Sequence, residues 1–546
     1  MSEDSENHDY SIIRTSNKKR KLDSNEPVFD ERKACRAVAG FIRSEKLGFW
    51  SIENKSFQEF VRMLYPQFHI DRHMVERECI EIYKEEKAKI KETLRNLDGH
   101  ISLSVEILKY ERFIGDKCEL SYFNDYMRLS AHFIDEKWRT QKWVLNFCFI
   151  YPSHPLGEAI LKSLSDWDIE NKISTLTLGY NEDCDKTFQI AQDRLHEKKK
   201  LKLSGQMFRV KCCADLFCSM AEDAFEEIEE IIRKVRPLTK WEKSLPTWSF
   251  TLGKLQVALA FESLGVFIED RCVGFEIPSA EEWKKVQGVC KLVESIHKVA
   301  TVLFESMPIY STANVYFHLL QELHATLTRE STGSDGFIIT LAEKMLKTFD
   351  QYWKDMFLVL AIAAVLDPRF KMKYIEFSSS KYEGSDGNSK VTMVVESIHS
   401  LYEDYVTHNP QKENSPTESS PPLLEDESSD DDDEEPSRNP YDDFSLFQEY
   451  CQLIDSTSQP AKSELDWYLE EPVLPWVQNF DALSWWRAAS PKYPTLSRMA
   501  RDFLAMPTTV PTPSEAYYTK PREVDHRIVS LGSELVNALM CPGSWF

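Results

Sequence analysis

The sequence predicts an α/β protein with its strands in the first half and helices over most of the rest. Apolar, β-prone stretches recur between residues 101 and 178, with one helical segment among them. A block from about Lys211 to Val406 then carries apolar residues at the spacing of amphipathic helices. These two observations place a sheet before a long helical region, and a compact, aromatic-rich region follows from Ser463 to Phe546.

The order of the strand candidates narrows this fold class. Three consecutive strand candidates, one helix candidate and a fourth strand candidate follow each other, namely Ile101–Leu108, Tyr126–Ile134, Trp143–Ile150, Pro155–Asp168 and Lys172–Leu178. The first three strands can pair as an antiparallel meander, and the helix can then cross over to a parallel strand. This is the element order of a ribonuclease-H-like core.

The N-terminal region predicts a tail followed by helices. Residues 1–27 lack apolar periodicity, so we expect them to be disordered. Their basic run, Lys18, Lys19, Arg20 and Lys21, is a candidate nuclear-import signal, and a solvated charge cluster is the alternative interpretation. Residues 28–98 carry an apolar stripe at helical spacing and predict an N-terminal helical region.

The helical block ends in an acidic linker. Trp353–Leu366 is apolar nearly all round, which predicts a buried helix that is too short to cross a bilayer, so we expect no membrane association. The linker combines Pro, Ser and Asn with the acidic run Glu425–Glu435 and cannot build a core. The predicted regions are therefore 1–27, 28–98, 99–210, 211–406, 407–440 and 441–546.

Charge and cysteine content argue against several functional classes. The net charge of −23 argues against nonspecific nucleic-acid binding over the whole surface, because phosphate binding needs basic surface. The 12 cysteines and 13 histidines show no zinc-finger spacing, so we predict no metal site and no cofactor. The basic segments Lys84–Lys91 and His196–Lys202 could still contact DNA, although solvated helix faces are the simpler interpretation.

The C-terminal region carries the most specific pattern in the chain. It contains SELDWYLEE (463–471), FDALSWWRAASPKYPTLSRMAR (480–501) and DFLAM (502–506). These segments resemble the dimerisation region of the hAT transposase superfamily, in particular its domesticated plant members, the sleeper proteins. The resemblance implies a dimerisation role for Leu465, Tyr468, Leu469, Trp485, Trp486, Tyr493, Pro494, Leu496, Met499 and Ala500.

Four earlier segments agree with the same family and in the same order. They are LSAHFIDEKWRTQKWVLNF (129–147), RVKCCA (209–214), YSTANVYF (310–317) and LDPRFKMKYIEF (366–377). The fold that the resemblance implies is an α/β, ribonuclease-H-like core, interrupted by a large all-α insertion and completed by C-terminal dimerisation segments.

The resemblance also implies strand-transfer chemistry, for which the family supplies two aspartates and a glutamate that hold divalent ions. The first position aligns with Glu106, a longer carboxylate, and the second with Gly179, which offers no carboxylate. The third, Glu515, is retained. Asp183 and Asp185 lie near the second position and are alternatives to it, although the register favours Gly179.

Three further departures from the family pattern indicate that the chemistry is lost. Leu108 stands in place of a tryptophan, Asp215 in place of a histidine, and Lys520–Glu523 in place of a glycine-rich stretch. We therefore expect the chain not to be an enzyme, and we expect the two retained glutamates to make ordinary polar contacts.

The expected function is that of an inactive nuclear protein that dimerises, with itself or with hAT-like relatives, and associates with DNA or chromatin as a regulator. The alternative is an interaction protein that dimerises with DNA-binding relatives without contacting DNA. Complete family members usually carry an N-terminal BED zinc finger, and the cysteines and histidines for it are missing before Phe29. An active nuclease and a degenerate gene product are the remaining alternatives, and no small-molecule substrate is expected.

Overall fold

The structure is a computed structural model. It describes residues 29–545 except 46, 114–119, 152–154, 180–183, 198–200, 202–204, 240–246, 268–274, 306–312, 383–385, 408–461, 476–479, 512–514, 518–523 and 526, and except the side chains of 110–113, 120–124 and 382. The candidate import signal Lys18–Lys21 and the acidic run Glu425–Glu435 lie outside the described residues. The chain divides into two compact units, the first ending at Ile82 and the second beginning at Tyr83.

The first unit is helical, as its apolar stripe predicts. It contains α1 (Glu31–Ser44), α2 (Trp50–Glu53), α3 (Lys55–Leu64) and the beginning of α4 (Arg72–Asn96). The Asp30 side chain accepts a hydrogen bond from the Lys33 backbone at 3.1 Å and so caps α1. Such a cap satisfies an amide that a helix leaves unpaired at its start.

The second unit is built on a five-stranded sheet in the order β3-β2-β1-β4-β5. The first three strands are antiparallel neighbours, whereas β4 lies parallel to β1 and to β5. This confirms the predicted meander and crossover. The fifth strand was not predicted, because three residues are too few to show alternation. The strands are β1 (Ile101–Phe113), β2 (Leu120–Ile134), β3 (Thr140–Ile150), β4 (Ile173–Leu178) and β5 (Arg209–Lys211).

One face of the central strands is polar although it is buried. Ser102, Ser104 and Glu106 alternate along β1, and each is at most 3% exposed. Thr175 and Thr177 of β4 lie beside the two serines in the parallel register. This polar row leads along β1 toward the carboxyl end of β4, where the candidate catalytic positions lie.

The outer edge of β3 is covered by the last residues of the chain. The backbone amides of Val144 and Phe147 donate to Ser544 Oγ and Asn537 Oδ1, both at 2.8 Å. The Trp545 indole donates back to the Val144 carbonyl at 3.0 Å. An uncovered edge strand exposes a row of unpaired amides and carbonyls. The side chains of Ser544 and Asn537 therefore satisfy two backbone amides of this edge.

Most of the remaining described residues of the second unit are helical. The predicted buried helix is confirmed, because every residue from Val359 to Leu366 at the end of α12 is buried. No helix within the described ranges has the length and apolarity that crossing a bilayer requires. The helices are α5 (Leu156–Trp167), α6 (Cys184–Glu197), α7 (Cys213–Glu226), α8 (Glu229–Leu238), α9 (Trp248–Ser263), α10 (Ala280–Phe304), α11 (Ala313–Ser331), α12 (Gly336–Val365), α13 (Lys371–Tyr382), α14 (Gly387–Thr407), α15 (Glu464–Glu470), α16 (Ala482–Ala489), α17 (Pro494–Leu504) and α18 (Ser533–Met540).

Candidate active site

Glu106, the first candidate catalytic position, lies in the middle of β1 and is buried, with 3% of its side chain exposed. Its directly opposed residue on β2 is Arg128. The Arg128 guanidinium contacts the Glu106 carboxylate as an ion pair. The register explains this contact, because opposed residues on antiparallel strands project from the same face. The carboxylate at the first position is therefore matched by a cation that the chain itself supplies.

Gly179, the second candidate position, directly follows β4. Val105 of β1 pairs with Leu178 of β4 at the end of their parallel ladder. Glu106 and Gly179 directly follow these two residues, so the first and second candidate positions are neighbours. A Cβ atom added at Gly179 would lie 3.0 Å from Oδ2 of Asp215. The first turn of α7 thus places a carboxylate beside a backbone position that has no side chain of its own.

Asp185, the alternative to Gly179, lies in the first turn of α6, and its carboxylate is 3.8 Å from Lys211 Nζ. Lys211 also donates a hydrogen bond to Asp355 Oδ2 at 2.6 Å. Burial alone would lower the pKa of Lys211, but the hydrogen bond to Asp355 and its charge outweigh burial and raise that pKa. Asp185 therefore belongs to an ion cluster on β5. Asp183 and Lys520–Glu523 lie outside the described residues.

Glu515, the third position, is half-buried in the short described stretch 515–517. The hydroxyl of its neighbour Tyr517 donates to Glu305 Oε1 at 2.7 Å. Burial, together with this hydrogen bond, raises the pKa of Tyr517. The backbone amide of Trp248 donates to the Tyr517 carbonyl at 3.2 Å. These contacts hold the stretch against the start of α9 and the end of α10.

The family's divalent ions need several convergent oxygen ligands. Within the part of the chain that the structure describes, no group of three or more His, Cys, Asp or Glu residues could hold a metal ion. Glu106 is already paired with Arg128, and Gly179 has no side-chain oxygen to offer. The described residues therefore do not fit a two-metal centre.

The ten residues predicted for dimerisation lie in or next to α15, α16 and α17. Most are interior residues that pack into the main apolar cluster of the chain. Leu469, Trp485 and Pro494 are half-buried. Those with at most 2% exposure are Leu465, Tyr468, Trp486, Tyr493, Leu496, Met499 and Ala500. They therefore contribute to the core of a single chain, and their role in dimerisation stays a prediction.

The end of α12 anchors this C-terminal region through its backbone carbonyls. The Tyr468 hydroxyl donates to the Val365 carbonyl at 2.9 Å, and the Trp486 indole donates to the Leu366 carbonyl at 2.7 Å. In return, Lys371 Nζ donates to the Tyr468 carbonyl at 2.6 Å. Burial lowers the pKa of Lys371 to about 8. These hydrogen bonds hold α15 and α16 against the end of α12 and the start of α13.

A buried ion pair within this anchor was not found by sequence analysis. The Asp367 side chain is fully buried and accepts hydrogen bonds from Arg369 Nη2 at 2.6 Å and Asn314 Nδ2 at 2.7 Å. The Arg369 guanidinium also lies 4.5 Å from the ring centroid of Phe480. The sequence feature that could have indicated it is Asp-Pro-Arg at 367–369, directly after an apolar helix. Charged residues are buried at such a place only if they are paired with each other.

The basic face of α4 is engaged by α5. Lys87 Nζ lies 5.0 Å from the ring centroid of Trp167. Lys91 Nζ donates to the Asp166 carbonyl at 3.0 Å, close to the end of α5. Cations near a helix C-terminus interact favourably with its unpaired carbonyls. These two lysines therefore have structural partners. The other basic candidate, His196–Lys202, lies largely outside the described residues.

Comparison with known proteins decides the family. The family model described as hAT family C-terminal dimerisation region matches residues 464–546, and the one described as hAT-like transposase, RNase-H fold matches 314–405. The protein RICESLEEPER 1 of Oryza sativa subsp. japonica is 31% identical over 573 residues, which cover 95% of this chain and 75% of that protein. The chain belongs to the hAT transposase family. Among its hAT relatives, DAYSLEEPER of Arabidopsis thaliana is 28% identical over 557 residues, 95% of this chain and 74% of that protein. Both relatives are named as zinc finger BED domain-containing proteins.

The matched regions divide the hAT chain differently from the predicted domains. A family model described as ZBED1 RNase-like domain matches residues 121–207, which include β2, β3 and β4. The RNase-H-fold model instead matches 314–405, which form α11 to α14 in this structure. These matches support a ribonuclease-H-like chain of mixed α/β structure. That the helical block is an insertion into this core stays a proposal.

Proposed function

We propose that this hAT-family chain is a catalytically inactive, domesticated transposase relative that acts in the nucleus, dimerises, and associates with DNA or chromatin as a regulator. One observation supports the loss of catalysis. Of the first two candidate positions, Glu106 alone has a carboxylate, and that carboxylate is paired with Arg128. Its neighbour Gly179 has no side chain.

The electrostatics of this pair oppose metal binding. A divalent ion at Glu106 would have to displace the Arg128 guanidinium or share one carboxylate with it. Either arrangement leaves like charges close together in a site that is 3% exposed, where poor solvation strengthens their repulsion. Residue 179 has no carboxylate of its own, and the Asp215 carboxylate beside it forms no group of three potential ligands with Glu106 among the described residues. The retained Glu515 is a single ligand and does not make up this deficit.

The proposed dimer rests on the match of residues 464–546 to the hAT dimerisation region, and its partner is a second copy or an hAT relative. The nuclear location rests on the basic run Lys18–Lys21 and on the family. The proposed helical insertion, 211–406, and the C-terminal completion of the core by 441–546 also rest on the family resemblance.

The alternative is an interaction protein that dimerises with DNA-binding relatives and does not contact DNA. The engagement of Lys87 and Lys91 by α5 favours it, because these cations are less available to phosphates. The net charge of −23 favours it as well, since a negative chain is repelled by DNA.

Two measurements test the proposal. The purified chain is expected not to cleave DNA with Mg²⁺ or Mn²⁺, alone or after Arg128→Gln. Cleavage by the wild type that Glu515→Gln abolishes would refute inactivity.

Binding of the purified chain to a pool of duplex DNA is then measured as a function of salt concentration, with the oligomeric state determined in the same sample. A dimer whose affinity falls steeply with salt supports DNA association. A dimer that ignores DNA at low salt favours the alternative.

A further inference from the structure

The second half of helix α9 exposes large apolar side chains. Val257 is 45% exposed, Phe261 39% and the C-cap residue Leu264 75%. With 3.6 residues per turn, these three positions fall within a sector of about 60° on the helix surface. The inner face of α9 consists of four residues that are at most 2% exposed, Trp248, Leu252, Leu255 and Ala258. The helix is therefore anchored on one side and presents a narrow apolar row on the other.

The turn directly after α9 adds a fourth apolar residue to this row. Gly265 has a φ of 66°, a left-handed conformation that glycine adopts without strain. Its backbone amide donates to the Glu262 carbonyl at 2.8 Å, and the Val266 amide donates to the Phe261 carbonyl at 3.0 Å. These two bonds form a Schellman motif, in which the chain leaves the helix beside its last turn. Val266, which is 39% exposed, therefore follows the helix next to Phe261.

Val257, Phe261, Leu264 and Val266 are here called the α9 anchors. Successive anchors are separated by three, two and one residues. A helix that docks in an apolar groove presents anchors at i, i+4 and i+7, which is the spacing of the first three. A fourth apolar residue, two positions later and outside the helix, completes the pattern of a leucine-rich nuclear export signal. We propose that the α9 anchors are such a signal and dock in the apolar groove of a nuclear export receptor.

The anchors are held in this conformation before a partner arrives. The ring of Phe261 lies 6.2 Å from that of Phe267, and Phe267 stacks on Trp283 of α10 at 5.8 Å. A segment that is already ordered loses little conformational entropy on association, which favours binding. Contiguous exposed apolar surface of this kind marks an interaction site more often than isolated apolar residues do.

The charge around the anchors specifies the chemistry of the partner. Between residues 255 and 267 the chain has one charged side chain, Glu262, and it is exposed. The preceding cation, Lys254, lies over the Phe250 ring at 5.3 Å from its centroid. A groove with an apolar floor and a cationic rim complements such a segment. Nucleic acid does not, because binding to phosphates needs basic surface. The receptor site is therefore separate from any surface that contacts DNA.

An export signal adds regulation to the proposed function. The basic run Lys18–Lys21 is the candidate import signal, and the α9 anchors would return the chain to the cytoplasm. The share of the chain that reaches chromatin would then depend on the balance between the two signals. This inference rests on the nuclear location that the proposed function contains, whereas the docking itself can be measured without it.

The first experiment measures docking with purified components. The full chain is immobilised, and a nuclear export receptor is added with its small GTPase in the GTP-bound form. Val257→Ala combined with Leu264→Ala is expected to weaken binding about 30-fold or more, because two exposed anchors are truncated and the buried face is unchanged. The matched control, Phe377→Ala with Val406→Ala, truncates side chains that are 57% and 44% exposed elsewhere and is expected to bind as the wild type does.

A second pair of variants tests the turn after the helix. A side chain at position 265 meets open space, so its effect comes from the backbone conformation. Gly265→Val is expected to weaken binding about 5-fold or more, since a β-branched residue disfavours the left-handed conformation that places Val266. Gly265→Asn, which tolerates that conformation, is expected to keep most of the binding.

The outcomes separate this inference from the proposed function. A wild-type chain that does not bind the receptor, or a Val257→Ala, Leu264→Ala variant that binds as tightly as the wild type, would overturn the export signal. In plant cells, a fluorescent fusion of that variant is expected to be more nuclear than the wild type. If both fusions stay outside the nucleus while the purified wild type binds the receptor, the nuclear location fails and the docking site stands.

Discussion

Asp367→Asn is expected to destabilise the fold, because it removes one charge of the buried ion pair between Asp367 and Arg369. The substitution keeps the shape of the side chain but removes its charge, while Arg369 stays in place with 4% of its side chain exposed. The new amide has a single acceptor oxygen, so it can keep the bonds that Asp367 Oδ1 accepts from the backbone amide and Nε of Arg369, at 2.9 and 3.0 Å, or the bonds at Oδ2, but not both. Breaking one partner of a buried ion pair costs about 3–5 kcal/mol, because the other charge is left buried and unmatched.

The assay is urea denaturation followed by tryptophan fluorescence, to which the neighbouring Trp486 contributes. The control is Glu281→Gln, since Glu281 and Lys284 form a pair whose side chains are 78% and 66% exposed. That change is expected to cost about 0–1 kcal/mol. Adding Arg369→Met to Asp367→Asn should recover part of the loss by removing the unmatched charge. An Asp367→Asn variant within about 1 kcal/mol of the control would refute the reasoning.

Three further predictions follow from the sheet and its surroundings. His100, whose Nδ1 lies 2.6 Å from Asp502 Oδ2, holds the pKa of Asp502 below 3.8 against the opposing effect of burial. The stabilisation is therefore complete above about pH 4 and is lost as pH falls through the lowered pKa, so the difference in unfolding free energy between wild type and Asp502→Asn should shrink in acid. Asn537→Ala is expected to cost about 1–3 kcal/mol in denaturant titrations, because the Phe147 amide loses its acceptor at the β3 edge, and an unchanged midpoint would contradict that role. Gly179→Asp is expected to lower the thermal midpoint because its Cβ would lie 3.0 Å from Asp215 Oδ2, and Asp215→Asn should lessen that loss in a double-mutant cycle, whereas additive effects would show no coupling.

The strand order could be predicted because each of the first four strands has enough residues to show its pattern. Trp353–Leu366 was likewise predictable as buried, since it is apolar on every side. The ion pair between Glu106 and Arg128 was not, because it depends on which residue of β2 stands opposite position 106. Sequence patterns fix the face of a strand but not its exact pairing with a neighbour.

The aromatic C-terminal motif shows a different limit. The pattern around Trp486 identifies the family, but it does not show whether the ring packs within one chain or between two. Both environments are apolar and select the same residue types. The hydrogen bond from the indole to the Leu366 carbonyl spans 120 positions, and no local pattern encodes a contact at that separation.

The hydrogen bonds at the β3 edge join residues about 400 positions apart, as between Val144 and Ser544. During synthesis from the N-terminus, the meander emerges long before the segment that shields it. Until then its outer amides are open to pairing with any other extended chain. A chain shortened before Asn537 lacks these partners, so we expect its β3 edge to pair with other extended chains.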